Sequence, residues 1–300
     1  MPVLSSEAVI LRTWPVQEAD LIVSFFTRDY GKMRGVAKSA LRSRRRFGGA
    51  LEPMTVAQAW FAEKPRQELA RLDQLEIVRS PLAQSVDPTR LAILSFYAEL
   101  LDEALPERDP QEAIFRLLLS VLDQTSPAKP ANGGQSPGPQ STGPWMPLTY
   151  FSLWMTRLMG LLPDLAHCIV CGEALHEPRG RPGLIVSGLD FSRAEYDEKK
   201  SRALAPEGSP LSQQRLSGIF YSPFADGLFC EVHRTTSSSA LAADSWQLAQ
   251  RMLRQPVAAF AQEPWPRRRA QDLRRFTLQA LERHLEKKLR SAEALARLGG

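Results

Sequence analysis

Three cysteines and one histidine fall at intervals that suit a metal ion. Cys168 and Cys171 form a C-x-x-C followed by Gly172, and far downstream Cys230 and His233 repeat the two-residue interval. Three thiolates and an imidazole are soft or borderline ligands, and together they fill the shell of a tetrahedral Zn²⁺. The short interval lets both ligands of a half-site face one ion, and Gly172 can supply the positive φ of a knuckle turn. Such a centre is structural, one zinc per chain, because four protein ligands leave no open position for a substrate. His167 and His176 are close enough in sequence to replace His233 as the fourth ligand. The competing reading is a redox or unpaired C-x-x-C, with Cys230 a small buried hydrophobe and His233 incidental. Against it, every cysteine belongs to one of the two half-sites.

The second chemistry is cationic. Residues 31–50, GKMRGVAKSALRSRRRFGGA, carry Lys32, Arg34, Lys38, Arg42, Arg44, Arg45 and Arg46 with no Asp or Glu among them. The first half alternates like a strand; the second, with Ser39, Ser43, Gly48 and Gly49, reads as a flexible loop. So dense a set of cations repels itself unless an anion neutralises it, and a run of phosphates is the best-matched partner. These residues are the candidate DNA-binding set, holding phosphates without reading sequence. Phe25, Phe26, Tyr30 and Phe47 are the nearest rings for base stacking. A solvated surface loop is the alternative for any charge run. The net charge of +5 favours an anionic partner without naming one.

No catalytic constellation accompanies these groups. The chain has no H-E-x-x-H, no G-x-x-x-x-G-K-[ST] phosphate cradle and no G-x-S-x-G, so a zinc protease, an ATP-driven motor and a serine hydrolase are disfavoured and a non-enzymatic protein is expected. Met1–Trp14 lacks the pattern of a secretory leader, and no apolar run approaches the ~20 residues of a membrane span. A soluble, cytoplasmic protein is the expectation.

The elements that must position these groups follow from periodicity. Residues 3–13, 20–28, 32–38, 54–63 and 67–78 read as five strands, β-branched and aromatic, divided by turn or charged breaks. Five short strands in so little chain suggest a small closed barrel of the OB type, with a single sheet packed on the following helices as the alternative. The period then changes. Asp87-Pro88 marks a helix start, with Leu91, Leu94, Tyr97, Leu101 and Leu105 at helical spacing. Asp109-Pro110 repeats the device with Glu112 as a capping-box partner. Residues 125–147, rich in Pro, Gly and Ser, read as a mobile insertion. A helix over 148–162 follows, then helices over 238–255 and 268–298. The last exposes Arg267, Arg268, Arg269, Arg274, Arg275, Arg283, Lys287, Lys288 and Arg290, a solvated basic side or a second DNA contact. The fold class is therefore α+β: an OB-type barrel over 1–82, a helical domain over 83–163 and 236–300, and a zinc-binding module with an insertion over 164–235.

The order of these parts resembles the RecO family of bacterial recombination mediators. The resemblance rests on Ala8-Val9-Ile10-Leu11, Glu18-Ala19-Asp20, Gly31-Lys32, Val36-Ala37-Lys38, the basic loop, Leu51-Glu52-Pro53 and the C-x-x-C-G knuckle. It continues in Phe220-Tyr221-Ser222-Pro223 through Gly227-Leu228-Phe229-Cys230, and in Leu281, His284-Leu285 and Leu289-Arg290-Ser291. The chain departs from the family in having Ser39 and Leu41 where glycine and further basic residues are common, and His233 where a cysteine is usual. Residues 173–216 look like an insertion. The resemblance implies a non-enzymatic mediator of DNA repair. Such a protein binds single- and double-stranded DNA, anneals complementary strands, and associates with RecR and the tail of the single-strand-binding protein SSB. It thereby helps load RecA. An OB-fold RNA-binding or ribosome-associated adaptor is the alternative, since a basic barrel does not distinguish the nucleic acids.

Overall fold

A computed structural model of the chain describes residues 2–63, 67–81, 87–125, 143–175 and 218–298. Two compact units result: Met1–Pro163 with Asp244–Gly300, and Asp164–Ala243.

The first unit opens with a closed barrel. Strands β1 (Leu4–Pro15), β2 (Leu21–Thr27), β3 (Gly31–Ala37), β4 (Val56–Ala62) and β5 (Ala70–Arg79) run in the order β1-β2-β3-β5-β4, with β4 returning to β1. All pairs are antiparallel except β3 with β5. β1 is long enough to pair with both β2 and β4, and a register shift between Ile10 and Arg12 bends it around the barrel. Alternation decides what lies inside: Ala8, Ile10, Val23, Phe25, Met33, Ala37, Ala57, Ala59, Phe61 and Leu72 form one apolar cluster.

Six helices complete the described residues. In the first unit, α1 (Pro88–Ala104), α2 (Glu112–Thr125) and α3 (Trp145–Leu158) precede α4 (Ala243–Met252), a 3₁₀ turn (Val257–Phe260), α5 (Gln271–His284) and α6 (Arg290–Arg297). Asp87 caps α1 as its spacing implies, accepting a 3.0 Å bond from the Arg90 N–H. The other helix boundaries moved. α2 begins at Glu112, because the main chain of Asp109 lies against Gly31 of β3 and Asp109 accepts from the Gln111 side-chain amide instead of capping. α3 starts inside the Pro/Gly-rich tract: Trp145, Met146 and Pro147 are buried in its first turn, where a missing N–H costs nothing. The rest of that tract, 126–142, lies outside the described residues.

The helix expected over 268–298 is two. Glu286 adopts φ +51° between them, Leu289 is fully buried, and α6 packs back on α1. Its first-turn amides have no local cap, and Glu99 of α1 supplies one by accepting from the N–H groups of Arg290 and Ser291 and from the Ser291 hydroxyl. The exposed basic side assigned to this stretch is also interrupted. Arg274 is only 7 % exposed and donates to the carbonyls of Arg267 and Arg269 and to Thr149, while Arg269, Lys287 and Lys288 pair with Glu263, Glu103 and Glu282. Burial pulls the Arg274 guanidinium down to about 10, so it stays charged at neutral pH.

The second unit carries a three-stranded sheet, β6 (Ile219–Tyr221), β7 (Leu228–Phe229) and β8 (Ser239–Leu241), ordered β7-β6-β8. β8 replaces the first turn of the helix read over 238–255, because pairing with β6 satisfies its backbone there. Among the described residues no helix is long and apolar enough to cross a membrane.

Candidate nucleic-acid interface and metal centre

The segment between β3 and β4 is not a flexible loop. Turn hydrogen bonds run from the N–H groups of Arg42 and Ser43 to the Ser39 carbonyl, from Phe47 to Ser43 and from Ala50 to Phe47. Ala40, Phe47 and Ala50 drop into the barrel cluster, so the segment plugs one mouth of the barrel. The β1–β2 hairpin pins it: Asp20 accepts from the Ser39 N–H at 2.7 Å and the Ala19 carbonyl accepts from Leu41. Small apolar residues spaced among the arginines carried the signal for this plug, but charge density hid it.

Fixing the plug fixes the cations above it. Lys38, Arg44 and Arg45 are exposed, and among the described residues no carboxylate is paired with them. Arg42 reaches Glu18 at 3.2 Å, with both side chains well exposed, a pairing worth about 0–1 kcal/mol that a phosphate can displace. Arg46 donates to the Lys38 carbonyl at 2.6 Å and to the Ser43 hydroxyl, and lies over the Phe47 ring.

Two residues of the candidate set sit elsewhere. Lys32 is 5 % exposed, and its ammonium donates to the Asp102 carbonyl at 2.5 Å, satisfying an orphan carbonyl in the last turn of α1. Burial pulls its pKa below the usual lysine value, and Asp102 counters only part of that. Lys32 is therefore a helix cap and not a phosphate ligand. Arg34 is exposed but pairs with Glu107 at 3.0 Å, near the Lys32 end of β3. The rings proposed for stacking are also removed: Phe25, Phe26 and Phe47 are fully buried, and Tyr30 is half-buried edge-on to Phe61. Adjacent Phe25 and Phe26 both vanish because one faces the barrel core and the other the helices.

In the second unit the two half-sites converge. The ligand atoms of Cys168, Cys171, Cys230 and His233 all lie within 4.8 Å of one another. Cys230 Sγ is 3.2 Å and Cys168 Sγ 3.8 Å from His233 Nδ1, and Cys171 Sγ is 4.0 Å from Cys230 Sγ. An ion held at about 2.3 Å from sulfur and about 2.0 Å from nitrogen places tetrahedral ligands roughly 3.5–3.8 Å apart, so the set can hold a metal ion. β7 delivers Cys230 directly, and Cys168 bridges to Leu228 of the same strand. Gly172 takes φ +70° and returns its N–H to the Cys168 carbonyl at 2.9 Å, closing the first knuckle. Burial pushes the Cys168 thiol up, but N–H groups of Cys171, Cys230 and Val170 outweigh it and hold the thiol at about 6, favouring the thiolate a metal needs. His167 instead bonds Asp164 at 2.7 Å, outside the cluster; His176 is outside the described residues.

Comparison with known sequences agrees in both parts of the chain. Residues 1–81 match the family described as "Recombination protein O N terminal", and residues 85–211 and 208–293 match "Recombination protein O C terminal". The DNA repair protein RecO of Koribacter versatilis is 43 % identical over 293 residues, 98 % of each chain. That of Geobacter metallireducens is 33 % identical over 73 % of this chain and 84 % of its own, and that of Anaeromyxobacter sp. strain Fw109-5 is 33 % identical over 59 % and 64 %. A barrel followed by helices and a module able to hold a metal ion, matched along nearly all of its length, places this chain in the RecO family.

Proposed function

We propose that the chain is a DNA-binding recombination mediator acting in DNA repair, and that it works without catalysing a reaction. The observation that carries the DNA part is the unpaired charge of Lys38, Arg44 and Arg45, with the exchangeable Arg42 and Arg46 beside them, on a plug fixed in the barrel mouth. Cations on a rigid platform gain affinity by releasing counterions from phosphates, and they do so without base recognition. That is what a protein acting on strands of arbitrary sequence needs. The relatives' name supports the repair role. We extend the reading, on the strength of the family match, to single- and double-strand binding, annealing, the loading of RecA onto SSB-coated strands together with RecR, and a cytoplasmic setting.

Zinc is the ion we assign to Cys168, Cys171, Cys230 and His233. Thiolate-rich tetrahedral sets select it, and a filled shell gives it a bracing role in folding the module.

Arg44→Glu with Arg45→Glu tests the reading. Anisotropy titration of labelled DNA should show affinity falling at least tenfold at moderate salt, with unchanged circular dichroism. Wild-type affinity in the variant would remove the loop from the interface.

A further inference from the structure

Barrels of the OB class usually take oligonucleotides on the face of strands 2 and 3, between the β1–β2 and β4–β5 loops. In this chain the half of that face nearest Lys32 is occupied, while Ile22 and Val36 toward the plug are half-buried. Inward side chains of β2 belong to the barrel cluster, so Ser24 and Phe26 point outward, as do Lys32 and Arg34 of β3. Ser24 is fully buried and donates to Asp102 of α1 at 2.6 Å. Phe26 is fully buried and meets the Phe115 ring of α2 edge-on at 5.3 Å. Lys32 caps α1, and Arg34 is held by Glu107 in the α1–α2 connection.

That connection also closes the flank. The Arg108 N–H donates to the Lys32 carbonyl at 2.9 Å, and the Arg108 guanidinium reaches the carbonyls of Gln67 and Glu68, just before β5, and the Glu63 carboxylate at the end of β4. Arg108 adopts φ +59° to do so, a conformation that persists only where its surroundings enforce it. A strand of DNA would have to strip apolar and hydrogen-bonded contacts from α1 and α2 to lie there.

We infer that the helices seal the Lys32 half of the β2–β3 face, and that DNA is gripped only by its phosphates, across the plugged mouth bearing Lys38, Arg42, Arg44, Arg45 and Arg46. The distance separates the two places: Lys32 and Lys38 are six residues apart on and just beyond one strand, about 20 Å. The ring nearest the cations in sequence, Phe47, lies beneath them in the core, and the half-buried Trp14 at the end of β1 is covered by the Arg12 guanidinium. On this reading the base planes contribute nothing, and the interface recognises a polyanion of phosphodiester spacing.

This inference rests on the DNA-binding reading, and the experiment separates their failures. Full-length protein is titrated against labelled oligothymidylate and against an abasic oligomer of the same length and charge. The two affinities should agree within about twofold, since even one stacked base would be worth at least about fivefold. Arg34→Ala should leave both affinities within about twofold, while Arg44→Ala with Arg45→Ala weakens both together. Oligothymidylate binding about tenfold tighter than abasic strand would overturn the inference and leave DNA binding intact. An Arg34→Ala loss matching that of the loop variant would do the same. Failure of wild-type protein to bind either oligomer would overturn the DNA-binding reading and this inference with it.

Discussion

Replacing Gly31 with alanine should dislodge the α1–α2 connection from the barrel. Gly31 has φ +71°, and a Cβ there would stand 2.3 Å from the Asp109 carbonyl oxygen, 2.5 Å from its carbon and 2.6 Å from its nitrogen. The left-handed conformation alone costs an L residue about 1–2 kcal/mol. All three close atoms are main chain, so no side-chain rotation relieves the overlap and the connection must move. Moving it stretches the 2.9 Å bond from Arg108 to Lys32, worth about 0.5–1.5 kcal/mol, and the partly exposed Arg34–Glu107 pair, worth about 0–1 kcal/mol. The expected loss is about 2–4 kcal/mol. Gly49→Ala is the control, because its Cβ would meet only Ile77 Cδ1 at 3.9 Å, and it should stay within about 0.5 kcal/mol of wild type. Urea unfolding followed by far-ultraviolet circular dichroism reads both. Equal midpoints for the two variants would refute the docking of this connection on β3.

On duplex DNA, Arg44→Ala with Arg45→Ala should lower the slope of log affinity against log salt by about 1.8, so that the penalty between 50 and 200 mM salt shrinks roughly twelvefold; an unchanged slope measured by anisotropy would exclude both residues. Elemental analysis should find one zinc per chain, lost in Cys168→Ala and in Cys230→Ala but retained in His233→Cys, because thiolate substitutes for imidazole in a tetrahedral shell. Metal-free wild type with a cooperatively folded module would contradict this. Burial raises the Glu99 carboxyl, but the hydroxyl and N–H of Ser291, the N–H of Arg290 and nearby Lys287 more than reverse it and hold Glu99 below its ordinary value of 4.5. A depressed carboxylate stabilises above its unfolded pKa and loses that contribution as pH falls through the folded one. Glu99→Gln should therefore lower stability by about 1–2 kcal/mol near neutrality, with the gap to wild type closing below pH 4.5; a constant gap measured from pH 7 to pH 3 would contradict the assignment.

The five strands were legible because their alternation has a period of two and their breaks contain Gly, Pro or charge; each begins and ends within a few residues of the expected bounds. The metal half-sites were legible because ligand spacing is a local property. What escaped the sequence depends on partners distant in it. Ser239–Leu241 is a strand only because β6 lies beside it, and the break at Glu286 is held by Glu282, which accepts from the Leu289 N–H, and by Glu99 of α1, which accepts from the first amides of α6. Lys32 and Arg274 look like surface cations in one dimension, yet each is drawn inward by main-chain carbonyls that helix and turn ends leave unsatisfied. The basic run read as a loop because charge dominated it; Ala40, Phe47 and Ala50 were the weaker signal that it folds into the barrel.

The fold brings the sulfurs of Cys171 and Cys230 to 4.0 Å although residues 172–229 separate them in the chain. Once an ion ties both ends, doubling the length between them adds only about 0.6 kcal/mol of ring-closure entropy, small beside the roughly 10–16 kcal/mol that zinc lends to small folded modules. The knuckle pair thus turns its intervening sequence into a site of inexpensive evolutionary growth: stretches can be gained or trimmed there while the anchoring geometry is left as it was.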